Sequence, residues 1–274
     1  MQINELARAK INLCLHVTGQ RDDGYHLLDS IVVFASIGDQ ITVKPSDGFS
    51  LKITGPFAYG LSSGDDNLVL QAARAFAKDC KGAAITLTKN LPVASGIGGG
   101  SADAAATLRA MACMTDASLP SDAGLSLGAD VPVCLQSIPC RMEGIGDRIT
   151  LLAGFPSLWA VLVCPKVKIA TPAVFAALKT KENAPIGKMA NQESMGQFLQ
   201  RQRNDLENPS MGVAKEIGDC LDQINRQGAF LTRMSGSGAT CFGLFDDRQA
   251  SEKAARTLAD SNPDWWIKPC VLGA

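Results

Sequence analysis

The chain has 274 residues, 46% hydrophobic and 19% charged, a globular composition with a sizeable core and length for one large domain or two ordinary ones. The formal net charge of -1 argues against a large nucleic-acid surface, and no apolar run reaches the length that crosses a bilayer. The first residues, MQINELARAKIN, lack the basic-then-apolar pattern of a secretory signal, so a cytoplasmic protein with neither nucleic-acid nor membrane partners is expected. Nine cysteines occur without a CxxC pair, and those in apolar stretches (Cys14, Cys134, Cys164, Cys241) read as buried thiols of a reducing compartment. With His16 and His26 as its only histidines and no Cys/His cluster, the chain offers no dedicated metal site.

In chain order, residues 1–60 read as β-rich. Hydrophobic alternation predicts strands over 9–17, 31–34, 40–43 and 51–54. Residues 67–80 carry Leu68, Ala72, Ala75 and Phe76 on one helical face, with Asp65 or Asp66 near the N-cap. A strand over 83–88 leads into a glycine-rich loop and a helix from Ser101 to about Met114. A short helix near 121–127 and an apolar strand after Asp130 are expected next, then a turn between strands at 142–147. The texture changes near residue 150, which divides the chain into 1–150 and 151–274. The second part reads as a strand over 158–164 and a helix with Thr171 as N-cap and Pro172 in its first turn. Helices over 195–202 and 213–227 follow, then strands flanking Ser235-Gly236-Ser237-Gly238, a helix over 248–259 and a strand over 266–271. Residues 181–193 are the expected mobile loop. The order is α+β, without regular βαβ alternation.

Four features carry chemistry. The loop LPVASGIGGGSADAA places Gly96, Gly98, Gly99 and Gly100 between a strand and a helix. Glycines let backbone N–H groups approach a ligand, and the helix start adds unsatisfied donors and a positive dipole end, which suits a phosphate chain. The Walker pattern is excluded because Ser101 follows Gly100 without a lysine, and the dinucleotide pattern because its third glycine and second-strand acid are missing. The bland alternative is a flexible surface loop. Lys10 and Asn12 share one face of the first strand, so Lys10 either meets a charge or is an exposed edge lysine. Asp130, in Gly-Ala-Asp-Val-Pro, either caps a turn or serves as a general base. Gly236, Ser237 and Gly238 either form an ordinary tight turn or supply backbone N–H groups to a second side of a phosphate site.

PVASGIGGGSADAA and SGSGAT resemble the second and third signatures of the small-molecule kinases named after galactokinase, homoserine kinase, mevalonate kinase and phosphomevalonate kinase, the GHMP kinases. AKINLCLHVTGQRDDGYHLLDS, GADVP and EGIGD resemble the branch whose acceptor is a cytidine diphosphate-linked methylerythritol. The resemblance implies a two-domain GHMP-kinase fold of the α+β class with the active site in the interdomain cleft, residues 1–150 binding ATP and residues 151–274 on the substrate side. It implies ATP as phosphoryl donor to the 2-hydroxyl of that small molecule, in non-mevalonate isoprenoid biosynthesis, with Mg2+ held on the phosphates, and a monomer or weak homodimer. Under it, Pro92, Val93, Ala94, Ser95, Gly96, Ile97, Gly98, Gly99, Gly100, Ser101 and Ala102 match the ATP phosphate loop, and Asp130 and Lys10 match the base and its partner. Asn12, Tyr25, His26, Thr171 and Phe175 match substrate-binding positions, with Phe175 stacking on the cytosine. The sequence departs from the pattern at Ile97 for leucine and at Ala102 for the second serine, so Ser101 or backbone groups must serve there. Residues 114–127 are also shorter than usual. Two other readings stay open: a homoserine- or mevalonate-type kinase of the same superfamily, and a non-catalytic nucleotide-binding protein on the same fold.

Overall fold

The computed structural model describes residues 1–273. In chain order the elements are β1 (Ile3–Gln20), β2 (His26–Pro45), β3 (Ser50–Thr54), α1 (Leu68–Arg74), β4 (Ala83–Thr88), α2 (Gly99–Thr115), α3 (Val131–Gln136), β5 (Cys140–Gly144), β6 (Arg148–Leu151) and β7 (Leu158–Cys164). They continue as α4 (Thr171–Ala176), α5 (Met195–Gln200), α6 (Glu207–Val213), α7 (Glu216–Asn225), β8 (Leu231–Met234), β9 (Cys241–Phe245), α8 (Arg248–Ser261) and β10 (Trp266–Leu272). No helix of the described residues is long and apolar enough to cross a membrane.

The chain forms two compact units, and neither is continuous in sequence. The first comprises residues 1–10, 37–93 and 98–137; the second comprises 11–36, 94–97 and 138–274. The expected single division at residue 150 therefore does not describe the spatial units. The reason is the length of β1 and β2: 18 and 20 residues, they carry the chain from one unit into the other instead of turning back within one. Where hydrophobic alternation predicts two short strands, over 31–34 and 40–43, β2 runs unbroken.

In the first unit β3 runs parallel to β4, Leu51 opposite Ile85, and β4 pairs antiparallel with the last residues of β2, Ile41 opposite Leu87. Ile41, Val43, Ile85 and Leu87 are buried, as the two-residue period requires. α2 packs against α1 and α3, and its alanines Ala102, Ala104, Ala105, Ala106 and Ala110 are all buried. α1 starts one residue later than expected and stops at Arg74. Its cap is Asn67, whose side chain accepts from the Val69 N–H, while Asp65 pairs with Arg74 at 2.7 Å. Residues 121–127 form a turn and one 3-10 turn (Leu125–Leu127) in place of a helix, because the Asp122 carboxylate takes the N–H groups of Gly124 and Ser126. The segment after Asp130 is helical, not a strand: Pro132 has no N–H for a ladder but suits a first helical turn.

In the second unit β7 lies between β10 and β9, both antiparallel, and β8 pairs with β9 at the edge. β5 pairs with the first residues of β2, and β6 with β5. α7 and α8 supply Ile217, Ile224, Ala254 and Leu258 to a core shared with Val161, Val163 and Phe245. The helix expected over 213–227 is α7, which begins only at Glu216, after the extended backbone of Ala214, while α6 has no counterpart among the expected elements. Thr171 lies inside α4, and the cap position is Ala170. Seven cysteines are buried as expected, but Cys113 is exposed and Cys80 half-buried.

The expected mobile segment, 181–193, is tied down along its length. Asn183 bonds Val17 through backbone and side chain, the Ile186 N–H and carbonyl meet Asp29 and Arg141, and Glu193 pairs with Arg201 at 2.7 Å. His16 completes the attachment: its Nδ1 donates to the Ala184 carbonyl at 3.0 Å and its Nε2 accepts from the Arg203 N–H at 3.4 Å. Burial, and then the Arg203 charge, lower its pKa below 6.5. A histidine held neutral in the fold but free to charge when unfolded makes stability fall as pH drops below about 6.5, and recover above it. Thermal unfolding at pH 7 and pH 5 checks this: His16→Gln should lose distinctly less Tm on acidification than the wild type.

Candidate active site

In the first unit, Lys10 lies near the middle of β1 with a side chain only 6% exposed, which rules out the edge-lysine alternative. A buried ammonium needs a counterion, and Asp130 supplies it: Lys10 Nζ lies 2.8 Å from Asp130 Oδ2. Asp130 is the residue before α3, yet its side chain makes no capping bond; the carboxylate turns to Lys10 and is 36% exposed. The pair is thus buried on the lysine side and open on the acid side. Burial, and then the Asp130 charge, push the neighbouring Cys134 thiol up to about 12, so that sulfur is no nucleophile here.

The same lysine sits under the glycine loop. A Cβ on Gly98 would stand 3.2 Å from Lys10 Cβ and 3.4 Å from its Cε, and Gly98 has φ +63°. Glycine at this position lets the chain turn left-handed into α2 directly over the lysine stem. α2 then presents the N–H groups of its first turn, beginning at Gly99 and Gly100, with no side-chain cap to satisfy them. Ser101 is half-buried, with its Oγ 3.9 Å from where a Cβ on Gly128 would lie. Ala102 is buried and points into the core, so Ser101 is the hydroxyl at this end of the loop. Pro92 and Val93 form the approach, Val93 exposed.

In the second unit, Ala94, Ser95, Gly96 and Ile97 pack against the turn after β8. The Thr240 N–H donates to the Ser95 carbonyl at 3.0 Å, and the Asn12 N–H donates to Ser235 Oγ at 3.0 Å. Asn12 Nδ2 donates to Ser30 Oγ at 2.7 Å. A Cβ on Gly96 would lie 2.4 Å from the Gly238 carbonyl oxygen, and one on Gly236 3.1 Å from the Gly96 oxygen. The two glycine turns thus touch backbone to backbone, and the flexible-loop alternative is excluded for this segment. Asn204 Nδ2 fixes the second turn through the Met234 and Gly236 carbonyls, both at 2.8 Å, and Thr171 Oγ1 meets Ser237 Oγ at 2.8 Å.

A turn later in α4, Phe175 stacks on His26, ring centroids 4.6 Å apart at 29°. His26 Nε2 is buried with no hydrogen-bond partner. Burial, and then the Lys181 charge, lower the His26 pKa, which keeps the ring neutral. Tyr25 is exposed and makes no ring contact among the described residues. Within the second unit the structure therefore brings together His26, Phe175 and the Thr171–Ser237 contact, and joins Asn12 to the turn.

Sequence reasoning missed Asp39, Lys89 and Asp103, which form a buried ionic cluster beside the start of α2. The available signal was a lone aspartate on the alanine face of SADAAATL. Among the described residues, no group of three or more His, Cys, Asp or Glu side chains could hold a metal ion.

Residues 67–154 match the GHMP kinases N terminal domain and residues 174–264 the GHMP kinases C terminal domain. A 4-diphosphocytidyl-2-C-methyl-D-erythritol kinase of Ruegeria pomeroyi is 55% identical over 273 residues, covering 97% of this chain and 98% of that protein. The corresponding kinase of Brucella melitensis biotype 1 is 45% identical over 281 residues, covering 97% and 94%. The crystal structure of a 4-(cytidine 5'-diphospho)-2C-methyl-D-erythritol kinase superposes with a TM-score of 0.84 at 30% identity, covering 99% of this chain and all of that one. A mevalonate kinase, at 14% identity and a TM-score of 0.64, shares the fold alone. The members of these families are phosphotransferases, and the chain belongs to the 4-diphosphocytidyl-2-C-methyl-D-erythritol kinase family of the GHMP kinases.

Proposed function

We propose that the protein transfers the γ-phosphoryl group of ATP to the 2-hydroxyl of 4-diphosphocytidyl-2-C-methyl-D-erythritol, a step of non-mevalonate isoprenoid precursor biosynthesis. The observation that carries the reading is the Lys10–Asp130 pair, 2.8 Å long and lodged directly under Gly98 at the foot of α2. An ionised carboxylate open to solvent on one side, paired to an ammonium on the other, is suited to take a hydroxyl proton beside a phosphate-binding helix start. In this scheme the acceptor oxygen forms a bond to the γ-phosphorus, the bond to the bridging oxygen of ADP breaks, and the proton passes to Asp130. Lys10 orients the carboxylate and stabilises charge gathering on the transferred group. The N–H groups of Gly99, Gly100 and Ser101 hold phosphate oxygens, and residues 92–102 as a whole form the phosphate loop. Gly236, Ser237 and Gly238 are assigned as a second phosphate-side loop.

A Mg2+ of this reaction would be carried on the phosphate oxygens, which need few protein ligands beside them. When bound, the ion would neutralise phosphate charge. The cytosine end is assigned to His26 and Phe175, with Tyr25, Thr171 and Asn12 as further acceptor-side residues. The stacked pair and the unpartnered His26 Nε2 supply a flat apolar face beside one polar atom, which suits the edge of a nucleobase. ATP binding is thus assigned to residues of the N-terminal 150, and acceptor binding to Thr171 and Phe175 together with Asn12, Tyr25 and His26. A monomer or weak homodimer in the cytoplasm suffices for this chemistry.

ADP release with ATP, Mg2+ and 4-diphosphocytidyl-2-C-methyl-D-erythritol tests the proposal. Asp130→Asn should fold normally and lose about 100-fold or more of kcat; turnover equal to wild type would rule out the base. Absence of turnover in the wild type, with turnover of homoserine or mevalonate, would transfer the protein to another GHMP specificity, and ATP binding without turnover of any acceptor would make it a nucleotide-binding protein. His26→Ala and Phe175→Ala should each raise the acceptor KM about tenfold while leaving the ATP KM near wild type; equal rises in both constants would remove the cytosine assignment.

A further inference from the structure

The glycine loop is held from two directions by one buried cluster. Lys89 follows β4 directly, Asp39 lies in β2 and Asp103 is the fifth residue of α2. Lys89 Nζ donates to Asp39 Oδ2 and, at 2.6 Å, to Asp103 Oδ2, and all three side chains are at most 5% exposed. The other oxygen of Asp39 accepts the backbone N–H groups of Asn90, at 2.5 Å, and Leu91, at 2.8 Å. Those two residues immediately precede Pro92, where the loop begins. At the far end, a Cβ on Gly99 would lie 3.1 Å from Lys89 Nζ, so the ammonium touches the first residue of α2. Through these three side chains the chain leading into the loop and the helix leaving it are fastened to the same point of β2.

Stability alone is a poor account of this arrangement. Two carboxylates share one ammonium away from water, and Asp103 Oδ1 is buried without a partner. Burial, and then the charge of Asp39, push the Asp103 pKa up against the pull of Lys89. Burial lowers the Lys89 pKa, but Asp103 and Asp39 together outweigh it and leave it raised. Buried ion clusters of this kind are commonly matched or exceeded in stability by apolar side chains of similar volume. Directional bonds do what apolar packing does not: they fix one element at a set distance and angle to another.

We propose that Asp39, Lys89 and Asp103 act as positioning residues for phosphoryl transfer, holding the approach at Asn90–Leu91 and the first turn of α2 in register so that the loop's N–H groups converge on a nucleoside triphosphate. The proposal rests on the phosphate-loop reading of residues 92–102 given above. It accounts for a charged cluster that the Lys10–Asp130 chemistry does not use.

The test compares the wild type with Lys89→Met, which strands two buried carboxylates, and with the triple variant Asp39→Asn/Lys89→Met/Asp103→Leu, which removes every charge at near-constant volume and keeps an acceptor for the Asn90 and Leu91 N–H groups. Titration calorimetry with a non-hydrolysable ATP analogue and Mg2+, circular dichroism, and steady-state kinetics are the readouts. A folded triple variant should bind the analogue about tenfold or more weakly, lose about tenfold or more of kcat, and keep its acceptor KM within about twofold of wild type. Wild-type analogue affinity and kcat in the folded triple variant would overturn the proposal. A triple variant that cannot fold would equally overturn it by making the cluster a folding element. Failure of the wild type to bind the analogue would instead remove the phosphate-loop reading itself.

Discussion

A lysine ammonium in the buried part of a strand is tolerated because one carboxylate meets it, and much of the first unit is arranged around that contact. Lys10 reaches Asp130 at 2.8 Å. For the carboxylate to be in place, α3 must begin at Val131, which Pro132 favours, and Asp130 must not spend its side chain on capping. For the lysine stem to fit, position 98 must lack a side chain, since a Cβ there would stand 3.2 Å from that of Lys10. A pair wholly removed from water would suffer the full desolvation cost of two ions. Leaving the acid partly exposed reduces that cost.

The glycine loop shows how backbone can be made rigid without side chains of its own. Ala94 adopts φ +52°, a left-handed conformation that costs an alanine about 1 kcal/mol. Strain of that size persists only where surrounding contacts determine the backbone. In the second unit those contacts are the hydrogen bond of Thr240 to Ser95 and the close approach of Gly96 to Gly238. The turn from Ser235 to Gly238 is itself held by buried polar groups. Arg233 donates to the carbonyls of Leu13, Leu199 and Gln202, and Glu207 accepts the Met234 N–H at 2.7 Å. Each buried charge is satisfied by backbone, so it fixes strand and helix ends in place and leaves few polar groups unpaired.

His26, Phe175 and Thr171 are organised differently. His26 and Phe175 are not joined by a hydrogen bond; they offer a stacked surface and one unpartnered nitrogen. His26 follows a tight turn in which the Arg21 N–H donates to the Tyr25 carbonyl at 2.8 Å, and this turn sets where β2 begins. Phe175 and Thr171 lie four residues apart on α4, so the contact of Thr171 with Ser237 also orients the aromatic ring above it. The aromatic pair and the turn after β8 are thereby linked by one short helix.

Much of this was legible in the sequence. The strands over 83–88, read from alternation, and 158–164, an apolar run, fell where expected, because both are short, paired on each side and half or mostly buried. The glycine turns and the GADVP segment were readable because glycine admits left-handed backbone and proline fixes φ, preferences written residue by residue; the AKIN segment was readable through Lys10 and Asn12 sharing one face of a strand. Tertiary structure decided what depends on distant partners. It merged two expected strands into β2, shortened α1 and converted the segment after Asp130 from strand to helix. It joined Lys10 to Asp130 across 120 positions, and Asp39 to Lys89 across 50. A charge in a sequence states a cost if it is buried; only the fold brings the opposite charge that offsets it.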